Sequence, residues 1–325
     1  MTDSEDSRRR EAWSAYWASG RLHSCTGSYG GNYGGAIGRF WRGTFGRLPA
    51  TSRVLDLATG NGPLPLLLWE QRKGRVEVDA VDLAMLAPDW HVPSQHPGIH
   101  FHSGVSMEAL PFAPSTFDCV ISQFGFEYAD RQRALDECLR VAKPEMLLAF
   151  VMHHAGSVLV RVGREELAHH SRLLAGDGLI EAARDAIPWI ARARTGAGVG
   201  DQAAASAARV NYNRATQDLA VAAQASFAPD LLLEAREAVH GLLGLTGGDA
   251  RESLARLDAY RLSLEEARLR TAEMVAHALE PEQLEQLVHA VHAARPHAVI
   301  EVGELRQSEG VLGWSFVAAP GAAVG

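Results

Sequence analysis

The most informative segment for the fold of this protein is Val54-Leu55-Asp56-Leu57-Ala58-Thr59-Gly60-Asn61-Gly62. It begins as an apolar run, typical of a strand buried in a parallel sheet, and continues into a glycine-containing turn. The residues LPLLLWE then open a helix directly behind the turn. Glycine lets the main chain approach a ligand closely, and a helix N-terminus offers free N–H groups. The segment therefore predicts a strand, turn and helix that bind a nucleotide-type ligand.

Three residues narrow the class of ligand. Asp82 follows Gly62 by twenty residues and ends the next strand, where a carboxylate can accept hydrogen bonds from ribose hydroxyls. Pro65 stands where a third, phosphate-binding glycine would be needed, and no G-K-[ST] sequence follows. Asp56 would repel phosphate and favours a cationic ligand. The pattern indicates a nucleoside with a positive charge and no pyrophosphate.

The rest of the chain from residue 52 onwards contains three segments with different sequence patterns. Residues 52–153 alternate short apolar runs with helical patterns, which predicts a parallel sheet with crossover helices. Residues 156–295 show no convincing strand and predict a helical insertion. The runs HAVIEVGEL and VLGWSFVAA then predict an antiparallel hairpin at the end of the sheet.

Residues 1–50 are rich in aromatic side chains. Trp13, Trp17 and Trp41 flank the glycine-rich stretch TGSYGGNYGG, which lies between two helical patterns. Exposing so many large rings would be unfavourable. We expect this part of the chain to act as a lid, with Tyr29 and Tyr33 in the loop that closes over the site.

Composition excludes several classes of protein. The 325 residues are 47% hydrophobic and 22% charged, with a formal net charge of -8, so a nucleic-acid partner is not expected. Three cysteines without a C-x-x-C motif predict reduced thiols, and no metal site is expected. No apolar run approaches the ~18 residues of a membrane helix, so we expect a cytoplasmic protein without membrane insertion.

Longer stretches resemble a known family. The segments VLDLATGNG, VDAVDLA and VSMEALPFAPSTFDCVISQFGFEYADRQRALDECLRVAKPEMLLAFV resemble the class I S-adenosylmethionine-dependent methyltransferases, especially those of ubiquinone and menaquinone biosynthesis. The resemblance implies an α/β, Rossmann-like, seven-stranded and mostly parallel sheet with an antiparallel C-terminal hairpin. It further implies a cofactor-binding core of residues 51–155 and 296–325.

S-adenosyl-L-methionine is the cofactor that the resemblance implies, and S-adenosyl-L-homocysteine is the product. Asp56, Gly60 and Gly62 would line its methionine end, Asp82 would hold the ribose, and Leu83 would lie against the adenine. The full set of cofactor-binding residues expected is Tyr33, Asp56, Ala58, Thr59, Gly60, Gly62, Asp82, Leu83, Ser106, Met107 and Gln123.

Two positions depart from the pattern of the family. Ser106 stands where an aspartate often binds the adenine amino group, and Ala58 replaces a frequent glycine. A serine hydroxyl can still accept that hydrogen bond, so we expect weaker selection of adenine.

Acceptor contacts are expected at the ends of the fourth and fifth strands. Gln123 and Phe124 would face the sulfonium and the acceptor, and Glu127 is either a substrate contact or a solvated charge at a helix start. His153 and His154 point in opposite directions by strand alternation, so at most one is expected to be a general base. Tyr29 and His23 are further candidates for the acceptor side.

The predicted function is methyl transfer to a small-molecule acceptor, such as a secondary metabolite or a quinone-like ring, on oxygen, nitrogen or carbon. The insertion 156–295 is expected to cap the acceptor and to offer a surface for a homodimer. Two alternatives remain open: a methyltransferase for protein or peptide side chains, and a non-catalytic cofactor-binding scaffold.

Overall fold

The computed structural model of the chain describes residues 3–24, 31–196, 198 and 200–321. These residues form two units, one from 1–160 with 273–325 and the other from 161–272. The sequence-based limits of the helical insertion were 156–295, so the helical unit is narrower than expected. Residues 273–295 belong to the unit that contains the sheet.

Seven strands form one sheet in the order β3-β2-β1-β4-β5-β7-β6. β1 to β5 are parallel to one another, whereas β7 pairs antiparallel with both β5 and β6. The strands are β1 Arg53–Leu57, β2 Glu77–Asp82, β3 Ile99–Ser103, β4 Phe117–Gln123, β5 Ala142–Met152, β6 Ala298–Gln307 and β7 Gly310–Pro320. The predicted Rossmann-like, mostly parallel sheet with an antiparallel C-terminal hairpin is confirmed.

The order of the strands reverses at β1. From β1 the chain builds β2 and β3 on one side, and then returns to place β4 on the other side. Such a reversal opens a crevice at the carboxyl ends of the two central strands, which is where ligands bind in sheets of this type. The fold therefore directs attention to the residues that end β1, β2 and β4.

Helices cover both faces of the sheet. On one face α2 and α3 contribute Trp41, Phe45 and Leu68, all fully buried, to an apolar cluster with alternate residues of the strands. On the other face α10 buries Leu287 and Val291. This packing explains why α10 belongs with the sheet. The helices of the sheet unit are α1 Asp3–Ala18, α2 Gly35–Gly46, α3 Pro63–Arg72, α4 Arg131–Val141 and α10 Pro281–Ala294.

The helical unit has an apolar core of its own, to which Ile187, Val239 and Leu257 contribute fully buried side chains. Its helices, two of which extend into the residues of the other unit, are α5 Val158–Leu173, α6 Leu179–Arg194, α7 Gln202–Ala225, α8 Asp230–Leu245 and α9 Ala250–His277. None of the helices in the described part of the chain is long and apolar enough to cross a membrane.

Candidate functional site

The turn between β1 and α3 depends on two glycines. Gly60 has φ 55° and Gly62 has φ 74°, both in the left-handed region that favours glycine. A Cβ atom on Gly60 would lie 2.5 Å from the ring of Trp17, and one on Gly62 would lie 2.5 Å from the ring of Phe101. The turn thus requires glycine for its backbone conformation and for the close approach of neighbouring rings.

Two buried carboxyl groups lie at this edge of the sheet. Asp82 accepts hydrogen bonds of 2.8 Å from the main-chain N–H groups of Gly60 and Ala84, one on each carboxylate oxygen. Asp56 accepts one hydrogen bond of 2.5 Å, from the hydroxyl of Thr59 to its Oδ2 atom. The Oδ1 atom of Asp56 is buried and has no hydrogen-bond partner among the described residues. A buried acceptor in this state is costly unless a ligand satisfies it.

Burial dominates the acidity of both groups. Loss of solvation raises the pKa of Asp56 to about 8, with the hydrogen bond from Thr59 opposing the rise and the charge of Asp82 adding to it. Loss of solvation raises the pKa of Asp82 to about 6, opposed by the main-chain N–H groups that bond to it. A positive charge beside these carboxyls would favour their ionised forms, so this edge suits a cationic ligand.

Gln123 ends β4 on the same face of the sheet as Asp56. Asp56 is paired in register with Ile121, and Gln123 lies two residues further along the strand. The indole N–H of Trp41 donates a hydrogen bond of 2.5 Å to the Oε1 atom of Gln123. The Nε2 atom of Gln123 is buried without a partner among the described residues. An unsatisfied donor and an unsatisfied acceptor therefore stand on one face of neighbouring strands.

Most of the residues predicted to bind the cofactor line a cavity of about 690 Å³. The predicted side chains on its wall are Tyr33, Asp56, Ala58, Thr59, Asp82, Leu83, Ser106, Met107, Gln123 and Phe124. Gly60 and Gly62 shape the turn beside the cavity without lining it. Tyr29 lies outside the described residues. No group of three or more His, Cys, Asp or Glu residues suited to a metal ion occurs in the parts of the chain that the structure describes.

The comparison with known protein families matches the segment that runs from β1 into β5. A family model described as "Methyltransferase domain" matches residues 54–145. Residues 54–145 form a methyltransferase domain. The class I, S-adenosylmethionine-dependent type predicted from the sequence is confirmed for this segment.

Two curated relatives match the methyltransferase domain. Over 99 residues the chain is 40% identical to demethylmenaquinone methyltransferase of Thermus thermophilus, a match that covers 29% of this chain and 44% of the relative. Over 97 residues it is 37% identical to the ubiquinone/menaquinone biosynthesis C-methyltransferase of Geobacter sulfurreducens, covering 28% of this chain and 38% of the relative. The matched segment thus spans less than half of either relative.

The similarity to solved structures is lower than that to the curated relatives. A SAM-dependent methyltransferase from Aquifex aeolicus is 22% identical, with a TM-score of 0.33 over 37% of this chain and 65% of that chain.

Residues outside the methyltransferase domain complete the cavity. Trp13 and Trp17 of α1 lie on its wall, and their rings stack with centroids 5.7 Å apart. Asn61 of the glycine turn donates hydrogen bonds to the main-chain oxygens of Trp17, at 2.9 Å, and Arg21, at 2.7 Å. The aromatic content of residues 1–50 was the only sequence signal for this arrangement, and the anchoring role of Asn61 was missed.

A second anchor of α1 was also missed. Arg9 donates a hydrogen bond of 2.5 Å to Glu273, and its NH2 atom lies 3.5 Å from the Nε2 atom of His277, which lines the cavity. Burial lowers the pKa of His277 below its ordinary value, and the charge of Arg9 adds to this effect. Arg9 and Glu273 are 264 residues apart, so no local pattern predicts their meeting.

Neither of the two predicted general-base candidates, His153 and His154, lies on the cavity wall. His153 and His154 point in opposite directions, as strand alternation predicts, but neither ring lines the cavity. His154 stacks on Trp314 with ring centroids 4.1 Å apart, away from the methyltransferase site. His153 stacks behind Phe124 at 4.2 Å and bonds through Nδ1, at 2.7 Å, to the fully buried Glu127. Both rings are held by packing against Phe124 and Trp314, outside the lining of the cavity.

The other acceptor-side candidates lie close to the cavity with different roles. Glu127 is neither solvated nor on the wall, because its Oε1 atom accepts from the main-chain N–H and the ring of His153. His23 is buried and stacks on Tyr33 with centroids 4.5 Å apart, one layer behind the wall. Ser106, which was expected on the cofactor side at the adenine, lies on the wall, and its hydroxyl accepts a hydrogen bond of 3.2 Å from the N–H of Glu108.

Proposed function

We propose that this protein is an S-adenosylmethionine-dependent methyltransferase that acts on a small-molecule acceptor. The observation that carries the proposal is the pair of unsatisfied atoms on β1 and β4, Oδ1 of Asp56 and Nε2 of Gln123. The methionine end of the cofactor has an ammonium group and a carboxylate. On one wall of the cavity, Oδ1 of Asp56 can accept a hydrogen bond from the ammonium group, and Nε2 of Gln123 can donate one to the carboxylate.

The remaining parts of the cofactor have matching residues. Each carboxylate oxygen of Asp82 accepts one hydrogen bond within the protein and retains capacity for a ribose hydroxyl. The adenine would contact three further residues of the cavity wall, of which two are apolar and one is polar: Leu83, Met107 and Ser106. The residues present therefore fit the nucleoside and the amino-acid portion together.

When bound, S-adenosylmethionine supplies a methyl group on a positively charged sulfur for an in-line displacement. The protein contributes alignment of the two reactants and exclusion of water. The rings of Trp17, Tyr33 and Phe124 line the cavity, and aromatic faces attract a cation that lies above them. Asn61 hydrogen-bonds to the end of α1, and Trp13 and Trp17 of this helix line the cavity.

His153 and His154, which follow β5, do not line the cavity, so the proposal assigns the acceptor proton to neither of them. We propose an acceptor that reacts as an anion or that loses an acidic proton to water, such as an enolised or phenolic ring. Two features support a ring of this kind: the aromatic wall of the cavity, and relatives whose names specify demethylmenaquinone or ubiquinone/menaquinone biosynthesis. A cavity of about 690 Å³ lies within the range of small-molecule sites.

Calorimetric titration with S-adenosylmethionine and S-adenosylhomocysteine tests the cofactor. We expect binding on the order of micromolar for the wild type and at least ~10-fold weaker binding for Asp82→Ala, which removes the ribose acceptor. Asp218→Asn, an exposed aspartate of α7, is the matched control and should bind as the wild type does. A folded wild-type protein that binds neither compound would contradict the proposal.

Product analysis then tests the acceptor. We expect small hydroxylated aromatic rings and quinols to gain the mass of one methyl group in the presence of cofactor. Methylation of peptides but not of small rings would favour the protein or peptide alternative. Binding of the cofactor without methylation of any acceptor class would favour the scaffold alternative.

A further inference from the structure

The Trp41 indole determines which end of the Gln123 amide faces the cavity. Trp41 lies in α2, outside the methyltransferase domain, and its side chain is fully buried. Its ring packs between Phe40 and Phe45, at centroid distances of 5.0 Å and 5.6 Å. The indole nitrogen can only donate a hydrogen bond, and it donates to Oε1 of Gln123.

This hydrogen bond selects one of two amide orientations. A glutamine amide rotated by half a turn would exchange its oxygen and its nitrogen. In the rotated form the NH2 group of Gln123 would face the indole N–H, placing two donors together in a buried position. Trp41 therefore holds the amide so that only its NH2 group is available to the cavity.

The neighbouring carboxyl group makes this orientation meaningful for a ligand. Asp56 and Gln123 share one face of adjacent strands, and both line the cavity. The ionised side chain of Asp56 repels a ligand carboxylate placed near it, and a hydrogen-bond donor beside that carboxylate offsets the repulsion. The NH2 group of Gln123 is a buried donor without a partner among the described residues, whereas an amide oxygen in its place would add to the repulsion.

We propose that Trp41 is a positioning residue that fixes the Gln123 amide as a donor to the cofactor carboxylate, so that the site selects S-adenosylmethionine over its decarboxylated form. This inference rests on the proposed function. Decarboxylated S-adenosylmethionine keeps the sulfonium, the ammonium and the nucleoside, and differs only at the group that Gln123 would bind.

The experiment compares the two ligands by calorimetry in matched variants. We expect the wild type to bind S-adenosylmethionine at least ~10-fold more tightly than the decarboxylated form, as for a hydrogen bond to a charged group. Trp41→Phe should reduce this ratio to within about threefold of unity, mainly through weaker binding of the carboxylate-bearing ligand. Trp69 is a partly buried tryptophan that packs against the same apolar cluster and does not line the cavity, so Trp69→Phe should leave the ratio unchanged.

Non-additivity separates positioning from a general packing defect. Gln123→Leu should also abolish the preference, and Trp41→Phe should change the ratio no further in that background. Gln123→Leu also serves where Trp41→Phe fails to fold, because it keeps Trp41 in the core. A preference retained in Gln123→Leu, or lost additively in the double variant, would overturn the inference. Equal binding of both ligands by the wild type would overturn it and leave the proposed function intact, whereas binding of neither would contradict the proposed function itself.

Discussion

Asn61 donates a hydrogen bond of 2.9 Å from its Nδ2 atom to the main-chain oxygen of Trp17. The same atom lies 2.7 Å from the main-chain oxygen of Arg21. Asn61 belongs to the glycine turn, whereas Trp17 and Arg21 belong to α1 and the residues directly after it. One side chain therefore connects the turn at the end of β1 to the helix whose Trp13 and Trp17 line the cavity.

Removing this connection should loosen α1. In Asn61→Ala we expect the amide groups of α1 to exchange with solvent at least ~10-fold faster, since two hydrogen bonds of about 1 kcal/mol each are lost. Hydrogen exchange with mass spectrometry measures the effect, with the exposed Asn213→Ala as the control. Unchanged exchange in α1 would show that the helix is held without Asn61.

Ligand binding should release a proton near neutral pH. Burial raises the pKa of Asp56 to about 8, so this carboxyl is mostly protonated at pH 7 before a cation binds beside it. An ammonium group at Oδ1 favours the ionised form and expels the proton. Titration with S-adenosylmethionine in buffers of different ionisation enthalpy should give a release approaching one proton, absent in Asp56→Asn. Equal release in both proteins would assign the proton to another group.

The same carboxyl group should make stability depend on pH. The folded pKa of Asp56, about 8, lies above the unfolded value near 3.8, so the folded state binds more protons between these pH values. The free energy of unfolding should fall as pH rises from about 4 to 8 and then level off. Denaturant unfolding should show a shallower fall for Asp56→Asn, and this variant should exceed the wild type in stability at pH 8. An identical pH profile would contradict the raised pKa.

Ala58 should be a site where glycine increases stability. It has φ 51°, a left-handed conformation that costs a residue with a Cβ atom about 1 kcal/mol. In Ala58→Gly this cost disappears, partly offset by the greater freedom of glycine in the unfolded chain. We expect a gain of ~0.5 kcal/mol in denaturant unfolding. A loss of stability would mean that the Ala58 methyl group contributes packing that outweighs the backbone strain.

His153 should matter for stability more than for proton transfer. Its ring satisfies Oε1 of the fully buried Glu127, whose Oε2 atom has no partner among the described residues. His153→Ala should therefore cost about 3 kcal/mol in thermal or denaturant unfolding. Adding Glu127→Gln should recover part of this loss, because an amide is less costly than a carboxyl group to leave without a partner. A stable His153→Ala variant with at least ~100-fold lower kcat would restore this histidine as a general base.

Several features of the site followed from local sequence. The apolar run before Gly60 predicts a buried strand and a glycine turn, and the distance to Asp82 places a second carboxyl at the same edge of the sheet. Alternation along β5 predicts that His153 and His154 face opposite ways. These predictions succeeded because a strand has a period of two and a parallel sheet aligns the carboxyl ends of its strands.

Other predictions concern properties that local sequence does not define. The cap and dimer roles of the insertion 156–295, the loop position of Tyr29, and the cytoplasmic location stay predictions. The alternation along β5 also left open which histidine faces the cavity. In the structure the ring of His153 packs against Phe124 and the ring of His154 against Trp314, and neither ring lines the cavity.

Local sequence was enough to predict the alternation of strands and helices along residues 52–153, the glycine turn and the carboxyls at the ends of β1 and β2. Periodicity and turn chemistry act over a few residues, so they can be read without the fold. Only the tertiary structure brought Trp41 to Gln123 and Arg9 to Glu273, across 82 and 264 residues of chain. Such pairs form when the helices pack against the sheet, because that packing depends on the shape of the whole core and not on any single segment.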